Sequence, residues 1–219
     1  MSTTDAQRAY NFLQSDIVAG ELAPGMKLKI IDLRHRYDIG AAPLREALSR
    51  LSGERLVAIH ENRGFQVHEM SVADALDISR VRLHLELECL KEAVQKGDDE
   101  WEGRVVAAYH RLSRAEALST TESTRGLQIE SRNADFHAAL VSACESPWLL
   151  NLRLQVFACH ERYRNLSRSL SDPARDTSAE HAAIFEAAMK HDQALLLMLS
   201  REHVERTTRK AVQFITQSQ

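Results

Sequence analysis

The stretch from Asp38 to Leu51, DIGAAPLREALSRL, constrains this chain more than any other. Leu44, Ala47, Leu48 and Leu51 recur at i, i+3, i+4 and i+7, so one face of a short helix is apolar, while Arg45, Ser49 and Arg50 lie off that face. Such a helix packs by one side and offers cations on the other. Upstream, Ile30, Leu33 and Tyr37 keep a helical stripe that Asp38-Ile39-Gly40 breaks, which is the spacing of two helices joined by a tight turn. Downstream, Leu56 to His60 and Gly64 to His68 read as short strands around Glu61-Asn62-Arg63-Gly64, a turn with Arg63 at its tip. Residues 6–19, with Ala9, Phe12, Leu13, Ile17 and Val18 near one face, make an opening helix that Gly20 and Pro24-Gly25 end. Three helices and a β-hairpin wing predict a winged helix-turn-helix over the first third of the chain.

The formal net charge of −3 argues weakly against nucleic acid, but the charge is unevenly placed. Lys27, Lys29, Arg34, His35 and Arg36 face Asp32 as the lone acid between residues 27 and 36, and local potential governs contact with a polyanion. With 219 residues and 44% hydrophobic content the chain can bury a sizeable core. Cys89, Cys144 and Cys159 lie in apolar helical patterns without CxxC spacing, which points to buried reduced thiols and a cytoplasmic setting. No apolar run approaches the roughly 18 residues of a membrane span, and the N-terminus MSTTDAQRAY lacks the apolar core of a secretory signal.

Ser71 followed by Asp74 reads as the start of a new helical region. From there six helices are expected, at about 72–96, 99–118, 123–146, 148–170, 175–190 and 192–216, separated at Gly97-Asp98, Ser119-Thr120-Thr121, Ser146-Pro147, Ser171-Asp172-Pro173 and His191-Asp192. The fold class is mainly α: a winged helix-turn-helix over residues 1–69 and an all-α bundle of six or seven helices over residues 70–219.

Gly20-Glu21-Leu22-Ala23-Pro24-Gly25, Pro43-Leu44-Arg45-Glu46-Ala47-Leu48-Ser49-Arg50-Leu51 and Arg63-Gly64-Phe65-Gln66-Val67 closely resemble the winged-helix half of GntR-family regulators, and the helical half resembles the FCD-type effector domain of the FadR subfamily. Within the family, the Gly40 to Leu48 wording and Asp98 to Glu102 resemble carbon-starvation-induced, glutarate-responsive repressors. The resemblance implies that Arg45 reaches DNA near the start of the recognition helix and that Gly64 lets the wing approach a groove. An arginine fork suits a guanine edge or a phosphate, and Lys29, Arg34, Arg50 and Arg63 complete the candidate DNA-binding set; the bland alternative for Arg45 is a surface pair with Glu46 or Glu54. Many relatives place Ser-Arg where this chain has Gly40-Ala41, so one usual DNA contact is missing. Ala41 and Ala42 retain apolar contact to thymine methyls and backbone N–H groups for phosphate.

Asn133 and His137 lie at i and i+4, and His181 and His203 follow on two later helices. This spacing resembles the metal site of FCD-type domains, which typically use one Asp and three His; Asn133 stands at the Asp position. Three neutral imidazoles would suit Zn²⁺ or Ni²⁺, with a carboxylate effector completing the coordination sphere. Asn offers only a neutral amide oxygen, which weakens attraction to a dication and leaves open a metal-free site in which the histidines hold the effector directly. Arg82 matches an arginine that points into the cavity of such domains and would clamp a carboxylate. Arg162, with Tyr163 and Arg164, is a further effector-binding candidate.

These readings imply a cytoplasmic, homodimeric, ligand-responsive regulator, a repressor in expectation, whose partners are double-stranded operator DNA and a small carboxylate such as a dicarboxylate. An alternative is a metal sensor in which the ion itself is the signal. An enzyme is disfavoured, because three histidines could activate water only with a partner base that the sequence does not show, and no membrane role is expected.

Overall fold

A computed structural model describes residues 4–60, 64–117, 122–167 and 175–218. The chain packs as two compact units, Met1–Ile78 with Gln155–Leu170 and Thr208–Gln219, and Ser79–Leu154 with Ser171–Thr207.

In the first unit, α1 (Asp5–Ala19) starts at Thr4, whose hydroxyl accepts from the Gln7 N–H at 3.2 Å, and ends at Gly20 in the left-handed region, φ 86°. Helix α2 (Ile30–Tyr37) stops at Asp38, also left-handed at φ 53°, where the short polar side chain tolerates the conformation. Gly40 then opens α3 (Ala41–Gly53), so the tight turn read from the sequence is present. Leu44, Ala47, Leu48 and Leu51 are fully buried with Ala9, Leu13 and Ile17 of α1 and with Leu33 of α2. Removing one such leucine side chain costs about 2–5 kcal/mol.

Strands β2 (Val57–His60) and β3 (Gly64–Val67) pair antiparallel, His60 opposite Gly64 and Val57 opposite Val67. A two-residue strand β1 (Lys27–Leu28), which the sequence reading lacked, pairs with the outer edge of β3 and gives the order β1-β3-β2. It is too short to show alternation. The wing residue Arg63 lies outside the described residues.

Also in this unit, Cys159 Sγ donates to the Glu54 carbonyl at 3.3 Å, Asn165 donates to the Val18 carbonyl at 3.0 Å, and the Tyr163 hydroxyl donates to Asp74 at 2.7 Å.

The second unit draws on α4 (Val72–Lys96), α5 (Asp99–Ala117), α6 (Glu122–Leu140), α7 (Pro147–Leu166), α8 (Thr177–Met189) and α9 (Gln193–Ser218). The observed class is the expected one, with one small correction. The sixth helix ends at Leu140 rather than 146, because the chain turns at 141–143, where the Ser142 and Cys144 N–H groups bond back to Ala139 and Val141. The core gathers Leu90, Val94, Trp101, Val105, Leu112, Phe136, Leu140, Ile184 and Leu196. Trp101 is fully buried and its indole N–H donates to the Leu140 carbonyl at 3.2 Å. A Cβ at Gly97 would stand 2.3 Å from the Trp101 ring, which is why the break before α5 holds a glycine. The three cysteines are free and buried.

Candidate functional site

Two sets of side chains stand out. On the reader unit, α3 exposes Arg45, Glu46, Ser49 and Arg50 opposite its buried leucines. Among the described residues Arg45 makes no ion pair with Glu46 or Glu54; Glu54 instead accepts from the Tyr10 hydroxyl at 2.8 Å. Arg50 is partly engaged inside the protein, stacked 4.1 Å from the Tyr10 ring centroid and donating to Gln7 at 3.1 Å. Lys29 and Arg34 are exposed, and Gly64 occupies φ 78° at the start of the returning wing strand, a conformation that favours glycine. The N-cap Gly40 has no side chain to accept from the first turn of α3, so those N–H groups stay available for an anion.

In the second unit, His137 of α6, His181 of α8 and His203 of α9 converge. One ligating nitrogen from each lies within 4.8 Å of the other two, and all three residues are buried. Their ring centroids are 5.0, 5.3 and 5.8 Å apart. Helical geometry explains the convergence: each histidine sits on the inward stripe of its helix, next to Phe136, Ile184 or Val204, which are buried.

Each ring has a distinct electrostatic setting. Burial drives the His137 imidazole well below its ordinary value, with neighbouring His203 and Arg82 adding to the shift. Burial likewise pushes His203 down to about 4, against the opposing pull of Glu180. His203 Nδ1 is 2.7 Å from Glu180, and His181 Nδ1 is 2.8 Å from Glu116. His181 Nε2 is buried with no hydrogen-bond partner among the described residues. Burial alone would raise the Glu180 carboxyl, but hydrogen bonds from His203 and Arg175 outweigh it and hold the group ionised.

Asn133 is buried one turn before His137 on α6. Arg82 of α4 is 2% exposed, with Nε 3.9 Å from Glu86. Glu86 is gripped from α7 by Arg153, which donates at 3.0 and 2.9 Å and also bonds the His137 carbonyl at 3.0 Å. Arg162 belongs to the first unit, buried, with its guanidinium donating to the His68 carbonyl, while Tyr163 and Arg164 are taken up by Asp74 and Glu161. Sequence reasoning missed Glu116, Glu180 and the Arg153–Glu86 pair. Glu180 adjoins His181 in the chain and could have been suspected; nothing local marks Glu116 or Arg153.

The donor set suits a borderline dication, since clustered imidazole nitrogens match zinc or nickel better than the oxygen-seeking ions. His137, His181 and His203, with Asn133 one turn before His137 on α6, are the residues that would hold it. No described helix is long and apolar enough to cross a membrane.

Comparison with known proteins agrees with this architecture. Residues 5–67 match the bacterial regulatory proteins of the gntR family, and residues 77–206 match the FCD domain. The HTH-type transcriptional regulator BphR of Paraburkholderia xenovorans is 39% identical over 209 residues, 95% of this chain and 85% of its own length. The HTH-type transcriptional repressor GlaR of Escherichia coli is 36% identical over 199 residues, 89% of this chain and 90% of its own. Among solved structures, McbR/YncC of Escherichia coli superposes with a TM-score of 0.82 at 20% identity, covering 97% of this chain and 99% of that one, a likeness of fold. The chain therefore belongs to the GntR family and is a DNA-binding transcription regulator, not an enzyme, with an FCD domain C-terminal to its winged helix-turn-helix.

Proposed function

We propose that the protein is a cytoplasmic repressor whose reader domain, residues 1–69, is controlled by a small carboxylate bound in the helical domain, residues 70–219. The observation that carries this reading is the buried convergence of His137, His181 and His203. A zinc or nickel ion held there with Asn133 would leave positions for a carboxylate to complete its coordination sphere, and Arg82 would clamp the far end of a dicarboxylate. The reader would use Arg45, with Lys29, Arg34, Arg50, Arg63 and Gly64 around it, on the grooves and phosphates of operator DNA. Reading a near-palindromic operator calls for a homodimer. The similarity to a named repressor supports repression, and the acid would then have to bind the DNA-incompetent arrangement better.

The test pairs metal analysis of the purified full-length protein with thermal unfolding against a panel of mono- and dicarboxylates, glutarate among them, with and without Zn²⁺ or Ni²⁺. Stoichiometric metal and acid-dependent stabilisation that requires it support the reading. Metal-dependent operator binding with no response to any acid would make the ion itself the signal. No response to metal or acid would refute the effector site and leave the reader untouched.

A further inference from the structure

Two glutamates face the histidines of the metal site proposed above, and their role rests on that site. An ionised carboxylate only accepts hydrogen bonds, so the ring nitrogen that faces it must donate. Glu116 of α5 faces His181 Nδ1 at 2.8 Å and Glu180 of α8 faces His203 Nδ1 at 2.7 Å, so the neutral form of each ring carries its proton on Nδ1 and its lone pair on Nε2. The glutamates are themselves fastened. The second oxygen of Glu116 accepts from the Ser178 hydroxyl at 2.7 Å. Glu180 accepts from Arg175 at 2.9 and 2.7 Å and from Arg206 at 3.1 Å, and Arg175 reaches on to Thr207 at 3.0 Å. Neither carboxylate is exposed, at 11% and 10% of its side-chain surface.

We infer that Glu116 and Glu180 are positioning residues that hold His181 and His203 in the metal-accepting tautomer. A dication drawing on Nε2 makes the Nδ1–H a stronger donor, so each carboxylate bond tightens as the metal binds. The same tautomer decides how an organic acid can enter. A ring that presents a lone pair at Nε2 repels a carboxylate oxygen, so the acid reaches these histidines through a cation and not by direct hydrogen bonds. His181 Nε2, buried with no hydrogen-bond partner among the described residues, is the nitrogen that such a cation would take.

The experiment uses the chelator-stripped full-length protein. Zinc affinity is measured by competition with a chromophoric chelator for wild type, Glu116→Gln and Glu180→Gln, and the imidazole tautomers of the metal-free wild type are read from ¹⁵N–¹H correlation spectra. The expected result is Nδ1-protonated His181 and His203 in wild type, a shift of His181 toward the Nε2–H form in Glu116→Gln, and a loss of zinc affinity of roughly 10–100-fold in either variant. An Nε2–H tautomer in wild type, a measurement that needs no variant to fold, overturns the inference; so does zinc affinity within about threefold of wild type in folded variants. If wild type binds no zinc at all, the metal reading beneath the inference fails, a result distinguishable from zinc binding that ignores the glutamates.

Discussion

Arg153→Met is the most informative single change in the helical unit. The guanidinium and the Glu86 carboxylate are 4% and 3% exposed, bonded at 3.0 and 2.9 Å, and Arg153 also donates to the carbonyl of His137. Methionine fills much of the volume but returns no donor, so Glu86 is left facing Arg82 at 3.9 Å. Breaking one side of a buried pair costs about 3–5 kcal/mol, mostly because the surviving charge is desolvated. For a chain of this size that is a fall in Tm of roughly 6–20 °C at about 2–4 °C per kcal/mol. The assay is urea unfolding in chelator, with Glu86→Gln and the double variant completing a cycle; the double should be about 1–3 kcal/mol less destabilised than the sum of the singles. The sign of the pH dependence is also set. In wild type, burial would raise the Glu86 carboxyl but Arg153 and Arg82 hold it low, so it stabilises at neutral pH and loses that contribution as pH falls. In Arg153→Met burial gains ground, the folded-state value rises, and protonation relieves the penalty, so the destabilisation shrinks between neutral pH and pH 5. A cost below about 1 kcal/mol, or one that does not shrink in acid, refutes the argument. Zinc affinity should fall alongside, since the His137 backbone loses its anchor.

Two further outcomes follow from the site geometry. Arg45→Ala should weaken specific operator binding by about 1–3 kcal/mol, measured by fluorescence anisotropy at fixed salt, while zinc binding stays at its wild-type value; unchanged operator affinity would remove Arg45 from the reader surface. The metal-free protein should lose stability as pH falls from the ordinary histidine value of 6.5 toward about 4. His137 and His203 are held neutral by burial when folded and take up protons sooner when unfolded, so the unfolded state binds more protons across that window. A Tm that is flat from pH 7 to pH 5 in chelator would contradict the burial of these rings.

Helix boundaries were mostly legible because periodicity and punctuation agreed. Gly20, Asp38-Ile39-Gly40, Gly97 and Pro147 all fall at or beside helix ends, and the buried faces of α1 and α3 are the stripes read from the leucines. Strand β1 escaped notice because two residues carry no period, and the end of α6 at Leu140 because the apolar pattern continues into the turn. Sequence spacing shows which residues share a helix face but not where along a 20-residue helix the packing environment changes, and α7 contributes Arg153 to one unit and Arg162 to the other.

Fold class, the helix-turn-helix with its cations, and the family were all legible in local pattern: which residues share a helix face and where the chain turns. The sequence also singled out three histidines, through a spacing resemblance. Three-dimensional packing is what brings their nitrogens within 4.8 Å of one another, sets Glu116 and Glu180 against two of the rings, and lets Arg153 tie Glu86 to the His137 backbone. Those partners are 65, 23 and 16 residues apart along the chain. A hydrogen bond depends on distance and direction in space, and no helical period encodes which turn of one helix will face which turn of another.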